Sequence, residues 1–221
     1  MSAVLQCLAS TQRETQAPAD PTNYGPRLTR DWRGLPVPHA PSIIVLHETV
    51  VDETTALNLF RRRHDSDAHQ ASYHVLIARD GRRIRVVPDA MRAFGAGDSA
   101  LNGFAVQLKQ GVKPSINNVA LHVSLVSPAD GVDGERSAHS GYTAEQYRSL
   151  ADLLAYWQVS YAISPTSVVT HQEVDRSGSR KDPRSFEWGR LRKDLQVRSL
   201  ACGATPLLAD LRRPSPEATV R

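Results

Sequence analysis

Two histidines, each at the end of a short apolar segment, are the residues of this chain best suited to chemistry. His47 ends the run SIIVLH, and His171 ends the run VVTH. A strand that ends in histidine presents an imidazole at the rim of a sheet, where a metal can reach it. Asp182 follows His171 after a polar loop, and two imidazoles with one carboxylate form a three-ligand zinc site with an open fourth position. That open position lets the metal acidify a water toward a pKa of about 7 and polarise a carbonyl, so the predicted chemistry is hydrolysis of an amide.

The elements that must position these ligands alternate between strand and helix patterns. Apolar and β-branched runs predict strands at about 42–47, 71–78, 82–88, 119–126 and 167–170. Helices are predicted from the N-cap candidate Asp52 to about Arg63, from Thr143, where Gln146 completes a capping box, and at about 186–196. The Asp80-Gly81 pair predicts a hairpin turn between the second and third strands. The expected fold is α/β, with a mixed central sheet of about five strands flanked by helices.

Length and composition predict one domain with tails. The chain has 221 residues, of which 40% are hydrophobic and 23% charged, so it can bury a core without disulfides. We expect a flexible lead-in at 1–39, the domain at 40–197 and a flexible tail at 198–221. Cys7 and Cys202 both fall in the predicted flexible ends, which predicts neither thiolate metal ligands nor a core disulfide.

Several chain segments match a known family in order. They are residues 43–49 (IIVLHET), 72–81 (SYHVLIARDG), 92–97 (RAFGAG), 117–125 (NNVALHVSL), 171–174 (HQEV) and 180–183 (RKDP). Over roughly residues 40–195 the chain resembles the type 2 N-acetylmuramoyl-L-alanine amidases, a zinc family that shares its fold with peptidoglycan recognition proteins. The resemblance implies a peptidoglycan recognition protein-like fold, with His47, His171 and Asp182 as the zinc ligands.

The catalytic helpers implied by the resemblance differ from the common family pattern. Ser124 stands where many members carry a glutamate that acts as base, and a serine cannot take up a proton as a carboxylate does. Tyr73 precedes a hairpin histidine, as in phage-type members, and its phenol could orient the attacking water or donate to the developing oxyanion. Arg180 occupies the position of the family lysine, with Lys181 beside it, and either cation could stabilise the tetrahedral intermediate.

Four further residues are candidates for substrate contact. Gly95 stands where the family often has a histidine, whereas His122 stands where it usually has glycine, so His122 could supply an imidazole to the same cleft or simply pack. Phe94, Asn118 and Ser124 lie in the neighbouring matched segments. The remaining histidines are expected in two settings: His74 in the core, and a solvated loop set consisting of His39, His64, His69 and His139.

The chain carries a formal net charge of +4 and a pI near 9.3, with arginines clustered at 61–63, 82–85 and 190–192. These clusters lack interleaved aromatics and a recognised motif, so nucleic acid is not expected as a partner. Attraction to an anionic wall polymer or to stem-peptide carboxylates is the interpretation that we prefer. No apolar stretch reaches the length of a membrane span, and a monomer is expected.

The leading hypothesis is zinc-dependent hydrolysis of the amide bond between N-acetylmuramic acid and L-alanine in peptidoglycan or muropeptides of bacteria, with loops 95–117 and 127–141 as the substrate groove. The alternative is a non-catalytic peptidoglycan-binding module of the same fold; a basic nucleic-acid-binding protein is more remote. The substrate favours a periplasmic or wall-associated location. Residues 1–13 show no basic segment ahead of the apolar patch and no clear cleavage site, so a signal peptide is not predicted and a cytoplasmic location stays open.

Overall fold

A six-stranded mixed sheet forms the centre of the molecule. The computed structural model describes residues 2–134 and 137–204. The strands of this sheet are β1 (Glu14–Gln16), β3 (Ile43–Glu48), β4 (Val75–Ile77), β5 (Arg83–Arg85), β7 (Ala120–Leu125) and β8 (Val168–Thr170). Their order across the sheet is β1-β5-β4-β7-β3-β8. A second sheet pairs β2 (Tyr24–Pro26) with β6 (Met91–Ala93). The helices are α1 (Ala3–Ala9), α2 (Glu53–Arg61), α3 (Ala144–Tyr161), α4 (His171–Val174) and α5 (Trp188–Ala201).

The middle of the sheet is parallel and is covered on both faces. β3 lies between β7 and β8 and runs parallel to both. All residues of β3 and β7 are buried, as expected for parallel strands covered on both faces. β4 and β5 form the predicted antiparallel hairpin, and Gly81 adopts a φ of +84°, which an L side chain rarely adopts. The predicted mixed α/β fold is therefore confirmed.

Helix α3 forms the largest part of the core on one face of the sheet. Thr143 caps it, and the reciprocal bond from Gln146 completes the predicted capping box. The helix buries one apolar stripe against the sheet, including Tyr147, Leu150 and Trp157, all at 0% exposure. α2 begins after its predicted N-cap, since Asp52 Oδ1 accepts from the Thr55 N–H at 2.9 Å.

The expectation of a loosely ordered lead-in at 1–39 is corrected by the structure. Residues 3–9 form α1, whose Leu8 is completely buried in the core beneath α3. β1 adds a parallel edge to the main sheet by pairing with β5, and β2 pairs with β6. Strands of three residues are too short to show a periodicity, and their partners lie about 70 residues away in sequence, so a local pattern does not reveal them.

The expectation that the two cysteines form no disulfide is also wrong. Cys7 of α1 and Cys202, directly after α5, form a disulfide with a Cα–Cα distance of 5.5 Å. The pair is separated by 195 residues and joins the two ends of the described chain across α3. The predicted flexible tail from 198 begins inside α5, and its remainder from 205 lies outside the described residues. Among the described helices, none has both the length and the apolar character that a membrane span requires.

Candidate active site

The three predicted metal ligands meet at one edge of the sheet. His47 is the second-last residue of β3, and His171 is the first residue of α4, directly after β8. Because β3 and β8 are parallel neighbours, their carboxyl ends lie at the same edge. Asp182 reaches this edge from the loop that follows α4. Its carboxylate oxygens lie 3.2 Å from His47 Nδ1 and 3.0 Å from His171 Nδ1.

The spacing of these donors fits a single zinc ion. One ligand atom from each of the three residues lies within 4.8 Å of the others. Donor atoms bound to one tetrahedral zinc at about 2.0–2.2 Å lie roughly 3.3–3.6 Å from each other, slightly more than the imidazole–carboxylate distances here. Two imidazoles and one carboxylate are also an established donor set for a catalytic zinc with an open position.

Both kinds of ligand are held in the protonation state that a metal needs. Burial, with the nearby His171, lowers the pKa of His47 to about 4, so its imidazole is neutral at neutral pH. Burial alone would raise the pKa of Asp182, but hydrogen bonds with His171 and His47 hold that pKa below its ordinary value. Neutral imidazole and ionised carboxylate are the metal-binding forms of these side chains.

A buried ion pair fixes the loop that carries Asp182. Glu48, the residue after His47, accepts from the backbone N–H of Arg184 at 3.0 Å and from its Nε at 2.6 Å. Its other oxygen accepts from Ser127 Oγ at 3.0 Å and lies 3.1 Å from His139 Nε2. The side chains of Glu48 and His139 are both 0% exposed, so the expectation of a solvated His139 is wrong.

Tyr73 packs directly on the predicted ligand His47. Its ring centroid lies 4.6 Å from that of His47, and the ring of Phe60 supports it edge-on at 5.4 Å. Burial and the negative charge of Asp182 raise the pKa of Tyr73 above its ordinary value. The phenol is therefore protonated at neutral pH, which makes it a hydrogen-bond donor rather than a base.

The two candidate cations differ in their relation to the site. Arg180 is exposed, and its positive charge acts on the ligand edge, where it adds slightly to the lowering of the pKa of His47 by burial and offsets part of the rise in the pKa of Tyr73. Its backbone N–H donates to Asp175 Oδ2 at 2.9 Å, which fixes the loop at this point. Lys181 is also exposed but lines a surface depression with Trp188. Arg180 is the better placed of the two.

A family model matches the segment that contains this site. The model described as N-acetylmuramoyl-L-alanine amidase matches residues 37–185, about two thirds of the chain. The chain belongs to this amidase family. The matched segment contains all three predicted ligands, and cleavage of the bond between N-acetylmuramic acid and L-alanine is the reaction of the family. No curated protein sequence matches the chain significantly.

Solved structures share the fold of this amidase. A selenomethionine derivative of AmpD is 23% identical with a TM-score of 0.63, and the match covers 83% of this chain and 95% of that one. AmiD from E. coli, solved with the substrate anhydro-N-acetylmuramic acid-L-Ala-D-gamma-Glu-L-Lys, is 21% identical with a TM-score of 0.55, covering 71% and 58%. AmpDh3 from Pseudomonas aeruginosa, solved with anhydromuramic pentapeptide, is 21% identical with a TM-score of 0.55, covering 76% and 66%. At these identities the likeness concerns the fold.

In this amidase, two of the predicted substrate contacts lie beneath the ligands instead of in an open groove. His122 and Ser124 are residues of β7, and both are 0% exposed. Ser124 is the strand partner of His47 in the parallel ladder, and His122 Nδ1 lies 3.0 Å from His47 Nε2. The structure therefore places His122 against a ligand, a contact that no local sequence pattern indicates.

The other two predicted substrate contacts have different surroundings. Asn118 is completely buried, and its side chain bonds with the backbone of Leu28 and Pro38, so its role is to hold the N-terminal segment against the start of β7. Phe94 follows β6 and is partly buried, with the Arg92 guanidinium 5.2 Å from its ring centroid. A substrate contact by Phe94 stays a prediction.

Proposed function

We propose that this amidase uses zinc held by His47, His171 and Asp182. The observation that carries the proposal is that one donor atom from each residue lies within 4.8 Å of the other two. The Asp182 carboxylate also lies 3.2 Å and 3.0 Å from the two imidazoles, close to the spacing of donors on a shared ion. A bound zinc supplies a Lewis acid that polarises the scissile carbonyl and acidifies water. The reaction is hydrolysis of the amide between the lactyl group of N-acetylmuramic acid and L-alanine.

The chain's own residues supply orientation and charge in this proposal. Tyr73, held by its contacts with His47 and Phe60, donates its phenolic hydrogen to the attacking water or to the developing oxyanion. Arg180 presents a positive charge at the same edge and stabilises the negative charge that develops in the tetrahedral transition state. Its fork of donors replaces the compact ammonium expected from the family resemblance.

The proposed substrate is a muropeptide or a peptidoglycan strand. Two proteins of the same fold have been solved with anhydromuramyl peptides, which supports this ligand class. The net charge of +4 favours attraction to the carboxylates of a stem peptide. Loops 95–117 and 127–141 are the proposed walls of the groove.

An alternative function is recognition of muropeptide without cleavage. The observation that favours it is Ser124, which stands at the position of the family glutamate and offers no carboxylate as base. Both functions predict binding of muropeptide, and only the amidase predicts a released stem peptide.

We further propose that the protein works in an oxidising compartment, such as the periplasm or the wall. The disulfide between Cys7 and Cys202 supports this location, because such bonds persist outside the reducing cytosol. Thiol alkylation of protein taken directly from cells, followed by mass spectrometry, tests it. Two modified cysteines without prior reduction would contradict the proposal.

The deciding experiment measures release of stem peptide from purified muropeptides by mass spectrometry. The protein is assayed as isolated, after chelation, and after zinc is restored. We expect zinc-restorable cleavage at the lactyl–alanine bond and its loss in His171→Ala. The exposed His69 provides a matched control, and His69→Ala should cleave normally. Muropeptide binding without product would instead support the recognition module.

A further inference from the structure

His122 contacts the metal ligand His47 from the neighbouring strand. Its Nδ1 lies 3.0 Å from His47 Nε2, and both side chains are 0% exposed. In the ladder His122 pairs with Val45, two residues before His47, so the alternation of strand side chains puts both imidazoles on one face of the sheet. The contact is thus produced by the register of β3 and β7.

The direction of this contact follows from the ligand atom. His47 turns Nδ1 toward Asp182, so a metal held there would take the Nδ1 lone pair and the ring proton would reside on Nε2. That Nε2–H then donates to Nδ1 of His122. We propose that His122 is a positioning residue that fixes the tautomer and ring orientation of His47 for zinc binding. This inference depends on the proposed zinc site.

Gly95 provides the space for the His122 ring. A Cβ at position 95 would lie 2.6 Å from both Cγ and Nδ1 of His122, a distance that real Cβ atoms essentially never show. Gly95 does not have the left-handed φ that favours glycine, so the requirement is for space and not for backbone freedom. A side chain at 95 and the present position of His122 therefore exclude each other.

His122 is also held from its other side. Its backbone N–H donates to His74 Nδ1 at 2.9 Å, and the His74 N–H donates to the His122 carbonyl at 2.9 Å. The two rings are nearly parallel, with an interplanar angle of 10° and centroids 5.8 Å apart. His74 is the buried, hydrogen-bonded histidine expected from the sequence. These bonds fix the backbone of His122, and the parallel His74 ring limits how far the His122 ring can turn, so that ring can orient a neighbour.

The test measures zinc affinity by competition with a chromophoric chelator, which requires no activity. We expect His122→Ala to bind zinc about 10- to 100-fold more weakly than wild type, as for other partners of metal-bound histidines. His122→Asn places an amide oxygen near the position of Nδ1 and should recover most of the affinity. Circular dichroism confirms that each variant is folded.

Gly95→Ala tests the same contact without changing either histidine. We expect weaker zinc binding in the wild-type background and no further loss in the His122→Ala background, because the displaced contact is already gone. The control is Gly97→Ala in the same loop, where an added Cβ meets nothing within 4 Å, and it should bind like wild type. Wild-type affinity in both His122→Ala and Gly95→Ala would overturn the inference and leave the zinc site intact. Failure of the wild type itself to bind zinc would contradict the proposed function first.

Discussion

His47 and Glu48 are neighbours on β3, and their surroundings differ sharply. Both are buried, at 0% and 2% exposure, and as consecutive strand residues they point to opposite faces. The carboxylate of Glu48 is enclosed by a network from Arg184, Ser127 and His139 that uses both of its oxygens. His47 instead lies against the imidazoles of His122 and His171 at the ligand edge.

The side of His47 also contains unsatisfied polar atoms. His122 Nε2 and Ser124 Oγ are buried and have no hydrogen-bond partner within residues 2–134 and 137–204. Buried polar atoms are usually paired, so these two exceptions on β7 beside His47 call for an explanation, as does the buried hydroxyl of Tyr142, whose ring packs against His139 on the Glu48 side. The comparison shows that the Glu48 carboxylate has partners on both of its oxygens, whereas two polar atoms beside His47 have none among the described residues.

Breaking the Glu48 network should produce the largest loss of stability. Arg184→Ala leaves a buried carboxylate without its cation, and we expect a loss of about 3–5 kcal/mol in the free energy of unfolding. Urea denaturation measures it. The double variant Glu48→Gln/Arg184→Met removes both charges and should be more stable than Arg184→Ala. Equal stability of the two variants would show that the unpaired charge of Glu48 is not the cause of the loss.

The disulfide joins α1 to the end of α5, away from both the Glu48 network and the ligand edge. Cys7→Ser/Cys202→Ser should lower the free energy of unfolding by about 2–4 kcal/mol, because the bond closes a long loop in the unfolded chain. Zinc affinity should stay unchanged, since neither cysteine contacts the ligand edge. Chelator competition beside urea denaturation checks both parts, and a weakened zinc site would show that α1 and α5 influence the ligands.

Elements with strong local signals could be predicted from the sequence, and long-range contacts could not. α3 and its capping box, α2 and its N-cap, and the hairpin at Gly81 follow from residues close together in the chain. The convergence of His47, His171 and Asp182 followed from strand-end histidines and from the family resemblance. The Glu48–Arg184 pair joins residues 136 apart and the His47–His122 contact joins residues 75 apart, so both depend on the register of strands.

Arg180 should affect the rate more than the fold. Arg180→Met removes the positive charge at the ligand edge. We expect the rate of stem-peptide cleavage to fall about tenfold to a hundredfold, with little change in the free energy of unfolding. Arg180→Lys keeps the charge without the planar fork and should retain most of the rate. Lys181→Met is the matched control on the adjacent cation. A larger loss in Lys181→Met than in Arg180→Met would reverse the assignment.

Substitution of Ser124 should have the smallest effect on stability and rate. It is also the sharpest test of whether the unpaired polar atoms beside His47 take part in the reaction. Its hydroxyl has no partner among the described residues, so Ser124→Ala removes no hydrogen bond that the fold uses, and stability should change by less than about 1 kcal/mol. If Tyr73 and Arg180 carry the roles proposed for them, the rate should also change little. A marked loss of rate with unchanged stability and zinc affinity would mean that the hydroxyl acts in the reaction. The face of β7 beside His47 would then contribute a catalytic group in addition to its positioning imidazole.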